Sequence, residues 1–177
     1  MSVPATLLDR LRRYRCVLVL GPQRAGTTIA ARMIARDLGS VFLDERDVPG
    51  DIAQQMDDLR PGRQPSVVQC PAWTFACHEL GRPDTAVVLV RRPIEEILDS
   101  QERIGWTAPC QPRELRRYGA TSGVIAEIKY RAWDEHQRRE LGPHGFELPY
   151  TDLDRHELWI PAGGRGEFQP KQTAPEE

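Results

Sequence analysis

Residues 19–30 read VLGPQRAGTTIA. An apolar run enters Gly21, a second glycine follows at Gly26, and Thr27 and Thr28 open what reads as a helix. A strand that turns through glycine into a helix N-terminus presents unpaired backbone N–H groups and the positive end of a helix dipole, and both attract anions. The spacing from Gly21 to Thr28 is that of a nucleotide phosphate loop, GxxxxGK followed by Ser or Thr, except that Thr27 stands in the lysine position. The two glycines allow backbone to approach an oxyanion closely. Thr27 and Thr28 add hydroxyl donors, and Arg24 offers the positive charge that the missing lysine would bring.

Outward from this loop, β-rich apolar runs recur at 16–20, 41–43, 67–70, 86–90 and, more weakly, 146–148. Helical patterns fall between them: 27–38 closed by Gly39, 51–59 between a Pro-Gly turn and Pro61, 73–80 closed by Gly81, 93–104 closed by Gly105, and 122–140 stopped by Gly142-Pro143. This alternation predicts an α/β fold of three layers, with a roughly five-stranded parallel sheet covered by helices on both faces. Ligands of such sheets bind at the carboxyl ends of the strands. The residues leaving the strands are GPQRAGTT, then Asp44-Glu45-Arg46, then Pro71-Ala72-Trp73, then Arg91-Arg92-Pro93. One sheet edge thus gathers a phosphate loop, a carboxylate pair and an arginine pair. We expect one domain over residues 1–160, followed by a loop or tail over 161–177.

Composition excludes several classes. A formal charge of −2 gives no general pull toward nucleic acid or anionic membranes. There is no long apolar run of the kind that spans a bilayer, and the N-terminus lacks the apolar core of a secretory leader, so a cytoplasmic protein is expected. Its cysteines, Cys16, Cys70, Cys77 and Cys110, are then expected to be reduced thiols. Cys70, Cys77 and His78 do not have the spacing of a zinc site, and no metal is expected. The basic residues are nearly all arginine, Lys129 and Lys171 being the exceptions.

The loop GPQRAGTT resembles the donor loop of sulfotransferases, in which Lys or Arg and a small residue precede Gly-Thr-Thr. Arg24, Ala25, Gly26, Thr27 and Thr28 match that pattern, and no lysine follows the glycine in that family. The resemblance implies a P-loop sulfotransferase domain that uses 3′-phosphoadenosine 5′-phosphosulfate (PAPS), with the loop around the 5′-phosphosulfate. It also implies a 3′-phosphate element, an arginine at a strand end with a serine eight residues on. Arg92 and Ser100 have that separation, while Arg91 has the family's Arg-x-Pro relation, so the register is open by one residue. Arg165, in the late GGRGEF stretch, corresponds to a further 3′-phosphate contact. The segment FELPYTDLDRHELW is similar to the family's late Tyr–Asp-Leu region, where the role is structural.

Sulfuryl transfer to a hydroxyl or amine calls for a base at the acceptor and cations on the leaving phosphate. Glu45 is the candidate base, in the place of the catalytic Glu of carbohydrate and tyrosyl sulfotransferases, with Asp44 second and Arg24 as the phosphate cation. A charged surface turn explains residues 44–47, DERD, equally simply. The cytosolic branch's histidine has no counterpart beside Gln69, and His78 reads as a surface residue. Trp106 is the tryptophan best placed for a ligand. Two other readings stand beside this one. A small-molecule or nucleotide kinase using ATP also places an acid after the second strand, with residues 112–117, PRELRR, as an arginine lid, although the loop lysine and a strand-end Asp are missing. A P-loop module that binds a nucleotide without catalysis is the other. The expected partners are therefore a nucleotide donor and an acceptor that the sequence does not identify.

Overall fold

The computed structural model describes residues 3–44, 65–105 and 121–159. Five parallel strands form one sheet in the order β2-β3-β1-β4-β5: β1 Cys16–Leu20, β2 Val41–Asp44, β3 Ser66–Gln69, β4 Thr85–Arg91 and β5 Gly145–Pro149. The strand that enters the glycine loop, β1, is central: it is the most uniformly apolar, and all five of its residues are buried. Alternate residues of each strand face opposite layers. Val17, Val19, Val67, Val88 and Phe146 pack with α1 (Ala5–Leu11) and α2 (Thr27–Leu38). Leu18, Leu20, Val68, Val87 and Leu89 pack against a 3-10 segment at Pro71–Glu79, α3 (Ile94–Glu102) and α4 (Ser122–His136). The structure is therefore the expected three-layer α/β fold.

Some elements differ from expectation for local reasons. Residues 71–79 are 3-10 rather than α-helical, with Pro71 in the first turn and a kink at Ala76. The α4 helix ends at His136 and continues as a π-helical turn, Gln137–Leu141, before Gly142–His144 closes as a 3-10 turn. Pro93 is the cap preceding α3, not its first residue. The N-terminal α1, whose Leu7, Leu8 and Leu11 enter the core, was not anticipated. The expected helix at 51–59 lies outside the described residues, as do the PRELRR stretch and the tail. No helix among the described residues is long and apolar enough to cross a membrane. Cys16, Cys70 and Cys77 are buried, and burial pushes the Cys16 thiol up to about 12 and that of Cys77 up to about 11. Both are inert thiols packed as apolar side chains.

The far edge of the sheet is tied to α4 by charge. Arg91, the last residue of β4, donates from Nε to Glu147 of β5 at 2.9 Å and from a terminal nitrogen to Asp134 of α4. Trp133 Nε1 donates to the same Glu147 carboxylate at 3.0 Å. Burial alone would raise the Glu147 pKa, but the Arg91 and Trp133 hydrogen bonds outweigh it and hold the carboxyl below its usual range. Stability from this pair is complete above the ordinary glutamate pKa and is lost as pH falls through the depressed folded value. Glu147→Gln is expected to lower stability by about 1 kcal/mol at neutral pH, the partial exposure screening the pair. In thermal melts that deficit should close on acidification from roughly pH 5 to pH 3. A deficit independent of pH would detach the shift from Arg91.

Candidate functional site

The loop between β1 and α2 owes its shape to three left-handed residues, Gly21 (φ 146), Arg24 (φ 69) and Gly26 (φ 97). Arg24 is the only non-glycine residue with positive φ among those described, a conformation that costs an L side chain about 1 kcal/mol or more. Each has a neighbour that holds it. At Gly21 a Cβ would lie 3.0 Å from the Val90 carbonyl oxygen, so β4 can pass that close only beside glycine. The Gly21 N–H donates to the buried Thr74 hydroxyl at 3.0 Å, and that hydroxyl lies 2.8 Å from the Pro71 carbonyl oxygen. At Gly26 a Cβ would meet the Tyr150 ring at 2.7 Å, so the aromatic residue after β5 rests directly on the loop's end. The Arg24 carbonyl accepts from Arg92 Nη1 at 3.0 Å.

Gly26 is the residue preceding α2, so the first N–H groups of that helix open onto the loop. Thr28 is exposed at this end. Thr27 is not: it is 4% exposed, turned inward, and its hydroxyl accepts from Gln69 Nε2 at 3.2 Å. Gln69 ends β3, so the position where a strand-end carboxylate would stand carries a neutral amide.

Arg24, Ser100 and Arg92 come together. Arg24 Nε donates to Ser100 Oγ at 3.3 Å, and Ser100 is buried on α3. Of the two arginines at the end of β4, Arg92 turns to the loop and Arg91 turns away to β5 and α4. Arg92 is firmly held: its Nε donates to Glu96 at 3.0 Å and its guanidinium lies 4.0 Å over the Tyr150 ring. A ligand phosphate reaching it competes with the Glu96 carboxylate. Tyr130 sets the turn, since the Arg92 N–H donates to its hydroxyl and that hydroxyl donates to the Arg92 carbonyl, both at 2.9 Å.

Asp44 ends β2 on the same edge, but β3 lies between β2 and β1, in register Asp44 with Gln69. Two strand spacings, about 10 Å, therefore separate it from the loop strand. Glu45, Arg165 and Trp106 lie outside the described residues. His78 is exposed and stacked at 4.6 Å on His136, away from this edge. Among the described residues no group of His, Cys, Asp and Glu is arranged to hold a metal.

Lys129, which the sequence did not single out, belongs to the site's underside. It is fully buried on α4, and its Nζ donates to the Gln23 side-chain oxygen at 3.0 Å and to the Pro71 carbonyl at 2.9 Å. Its rarity in an arginine-rich chain was the one available signal.

No protein-family model matches the sequence, and no curated protein matches it. Among solved structures the chain resembles shikimate kinase from Acinetobacter baumannii in complex with shikimate. The TM-score is 0.51 at 18% identity, over 78% of this chain and 86% of that one. At this identity the likeness is one of fold alone, and the sulfotransferase resemblance rests on the two motifs alone.

The Thr74 hydroxyl gives a direct check on what shapes the loop. Thr74→Val leaves a buried Gly21 N–H unpaired and is expected to cost about 1–3 kcal/mol in chemical denaturation. Thr74→Ser, which keeps the hydroxyl, should restore most of it. Equal losses in both variants would assign the effect to packing.

Proposed function

We propose that this chain is a nucleotide-dependent transferase, with the donor's phosphates in the loop from Gly21 to Thr28 and the acceptor at the β2 edge. The observation that carries the proposal is the convergence of Arg24, Ser100 and Arg92 beside the open N-terminus of α2, at the ends of neighbouring strands β1 and β4. Two cations and a hydroxyl next to a row of backbone donors fit a nucleotide with more than one phosphate group.

For the donor we take PAPS, and for the reaction sulfuryl transfer to a hydroxyl or amine. Two positions support this over a magnesium nucleotide. Thr27 replaces the loop lysine and is turned inward, and Gln69 replaces the strand-end acid. The donor supplies an activated sulfuryl group. The chain's part is to hold the departing phosphate with the loop N–H groups, Thr28 and Arg24, and the 3′-phosphate with Ser100 and Arg92. Arg165 is a proposed further 3′-phosphate contact. The acceptor's proton passes to the Glu45 carboxylate, with Asp44 as the second candidate.

A kinase of small molecules or nucleotides using ATP is the second reading. The likeness of fold to the shikimate kinase favours it, and on that ground it is the better supported of the two. The acid at the end of β2, Asp44, suits either acceptor chemistry.

Melting with ligands separates them. With PAPS, the product 3′-phosphoadenosine 5′-phosphate should raise the melting temperature by roughly 5–10 °C near saturation without magnesium, and ATP with magnesium should not. The reverse pattern establishes the kinase reading and removes PAPS. Arg24→Ala should weaken the stabilising nucleotide about tenfold or more. Arg92→Ala should erase any preference for 3′-phosphoadenosine 5′-phosphate over AMP. Once an acceptor is found, a Glu45→Gln variant that transfers at the wild-type rate would exclude Glu45 as the base.

A further inference from the structure

Acidic side chains favour the first turn of a helix, where the dipole is positive, and α3 opens with Glu95 and Glu96. Glu96 has a second use as well. It lies four residues after Arg92, and its carboxylate accepts from Arg92 Nε at 3.0 Å. The pair is uneven: the Arg92 side chain is 9% exposed and that of Glu96 is 47% exposed. A guanidinium taken so far out of water needs an anion beside it, whereas a half-exposed carboxylate loses little on turning back to solvent. The place on Arg92 that takes an anion therefore opens outward, and Glu96 fills it from the solvent side.

The surroundings put that place within the site. Arg92 Nη1 donates to the Arg24 carbonyl, Arg24 Nε donates to Ser100 Oγ, and Ser100 lies one helical turn after Glu96 on the same face of α3. The loop holds Arg92 at Nη1 and the Tyr150 ring covers the face of its guanidinium, both without help from Glu96. The guanidinium thus keeps its place when the carboxylate turns away.

We infer that Glu96 is the resident counter-ion of the phosphate site: it occupies Arg92 Nε while the site is empty, and the nucleotide's phosphate displaces it. The inference rests on the phosphate site proposed above and concerns how tightly that site holds its ligand. A phosphate monoester carries more charge and more acceptor oxygens than a carboxylate, so it takes the arginine. The displacement still subtracts from binding, and the carboxylate retakes Arg92 as the phosphate leaves. Glu96 therefore loosens the hold on the nucleotide and speeds its release, which suits a site that sheds a phosphorylated product at every turnover.

Calorimetry and stopped-flow kinetics with 3′-phosphoadenosine 5′-phosphate test this, with AMP as the control that lacks a 3′-phosphate. Glu96→Gln, similar in shape and uncharged, should bind the bisphosphate about fivefold more tightly, through slower dissociation, and leave AMP unchanged. In an Arg92→Ala background the same substitution should have no effect, because Glu96 acts only through that guanidinium. A Glu96 that merely braces Arg92 for the ligand predicts the opposite sign. Weaker or unchanged binding of the bisphosphate by Glu96→Gln, an equal gain for AMP, or a gain that persists without Arg92 would overturn the inference. Wild-type protein with no preference for the bisphosphate over AMP would remove the 3′-phosphate site itself, a result distinct from a wild-type preference that Glu96→Gln fails to raise.

Discussion

Everything on the carboxyl edge of this sheet depends on holding the backbone of residues 21–26 in a conformation it does not adopt unaided. A strand that ends in a left-handed turn has to be pinned, and the pins come from four directions. Thr74 holds Gly21 from the segment after β3, and Arg92 holds the Arg24 carbonyl from the end of β4. Tyr150 presses on Gly26 from beyond β5, and Lys129 holds Gln23 from α4. Each is a modest interaction, but none competes with the others, and together they fix a loop whose intrinsic preference is elsewhere.

The fold was legible because it is written in short-range patterns. Buried runs such as CVLVL and TAVVLVR and helix stops such as Gly39 identify elements without knowledge of what packs on them. The misses share a cause. The 3-10 character of residues 71–79 comes from fitting Trp73, Thr74 and Cys77 between the sheet and α4, which is a tertiary demand. Strand order was not readable either, since alternation states which strands are parallel and not that β3 would lie between β2 and β1.

At the site, the sequence brought forward the residues whose spacing carries a motif and passed over those that act across the fold. Arg24 came forward because the loop has fixed offsets, and Ser100 and Arg92 because the sulfotransferase resemblance implies a serine eight residues after a strand-end arginine. Lys129 and Tyr130 did not, because their partners lie far away in sequence. A lone lysine in a helix ordinarily reads as solvated, and nothing local marks it as buried. The two donor readings differ for the same reason: the fold likeness reports the arrangement of strands, whereas the choice of donor depends on side chains at two or three positions.

Tyr150 also has a consequence for how the protein is made. The loop lies near the start of the chain, and the ring that closes over Gly26 comes from near the end of the described residues, itself braced edge-on by Trp159 at 5.3 Å. During synthesis β1, α2, β3 and β4 emerge well before that ring and can assemble the centre of the sheet without it. The loop at residues 21–26 would then be among the last parts of the molecule to take its final shape, late in a folding process already slowed by long-range parallel pairing. A nascent chain would hold most of its core while the loop still lacked the ring that rests on Gly26.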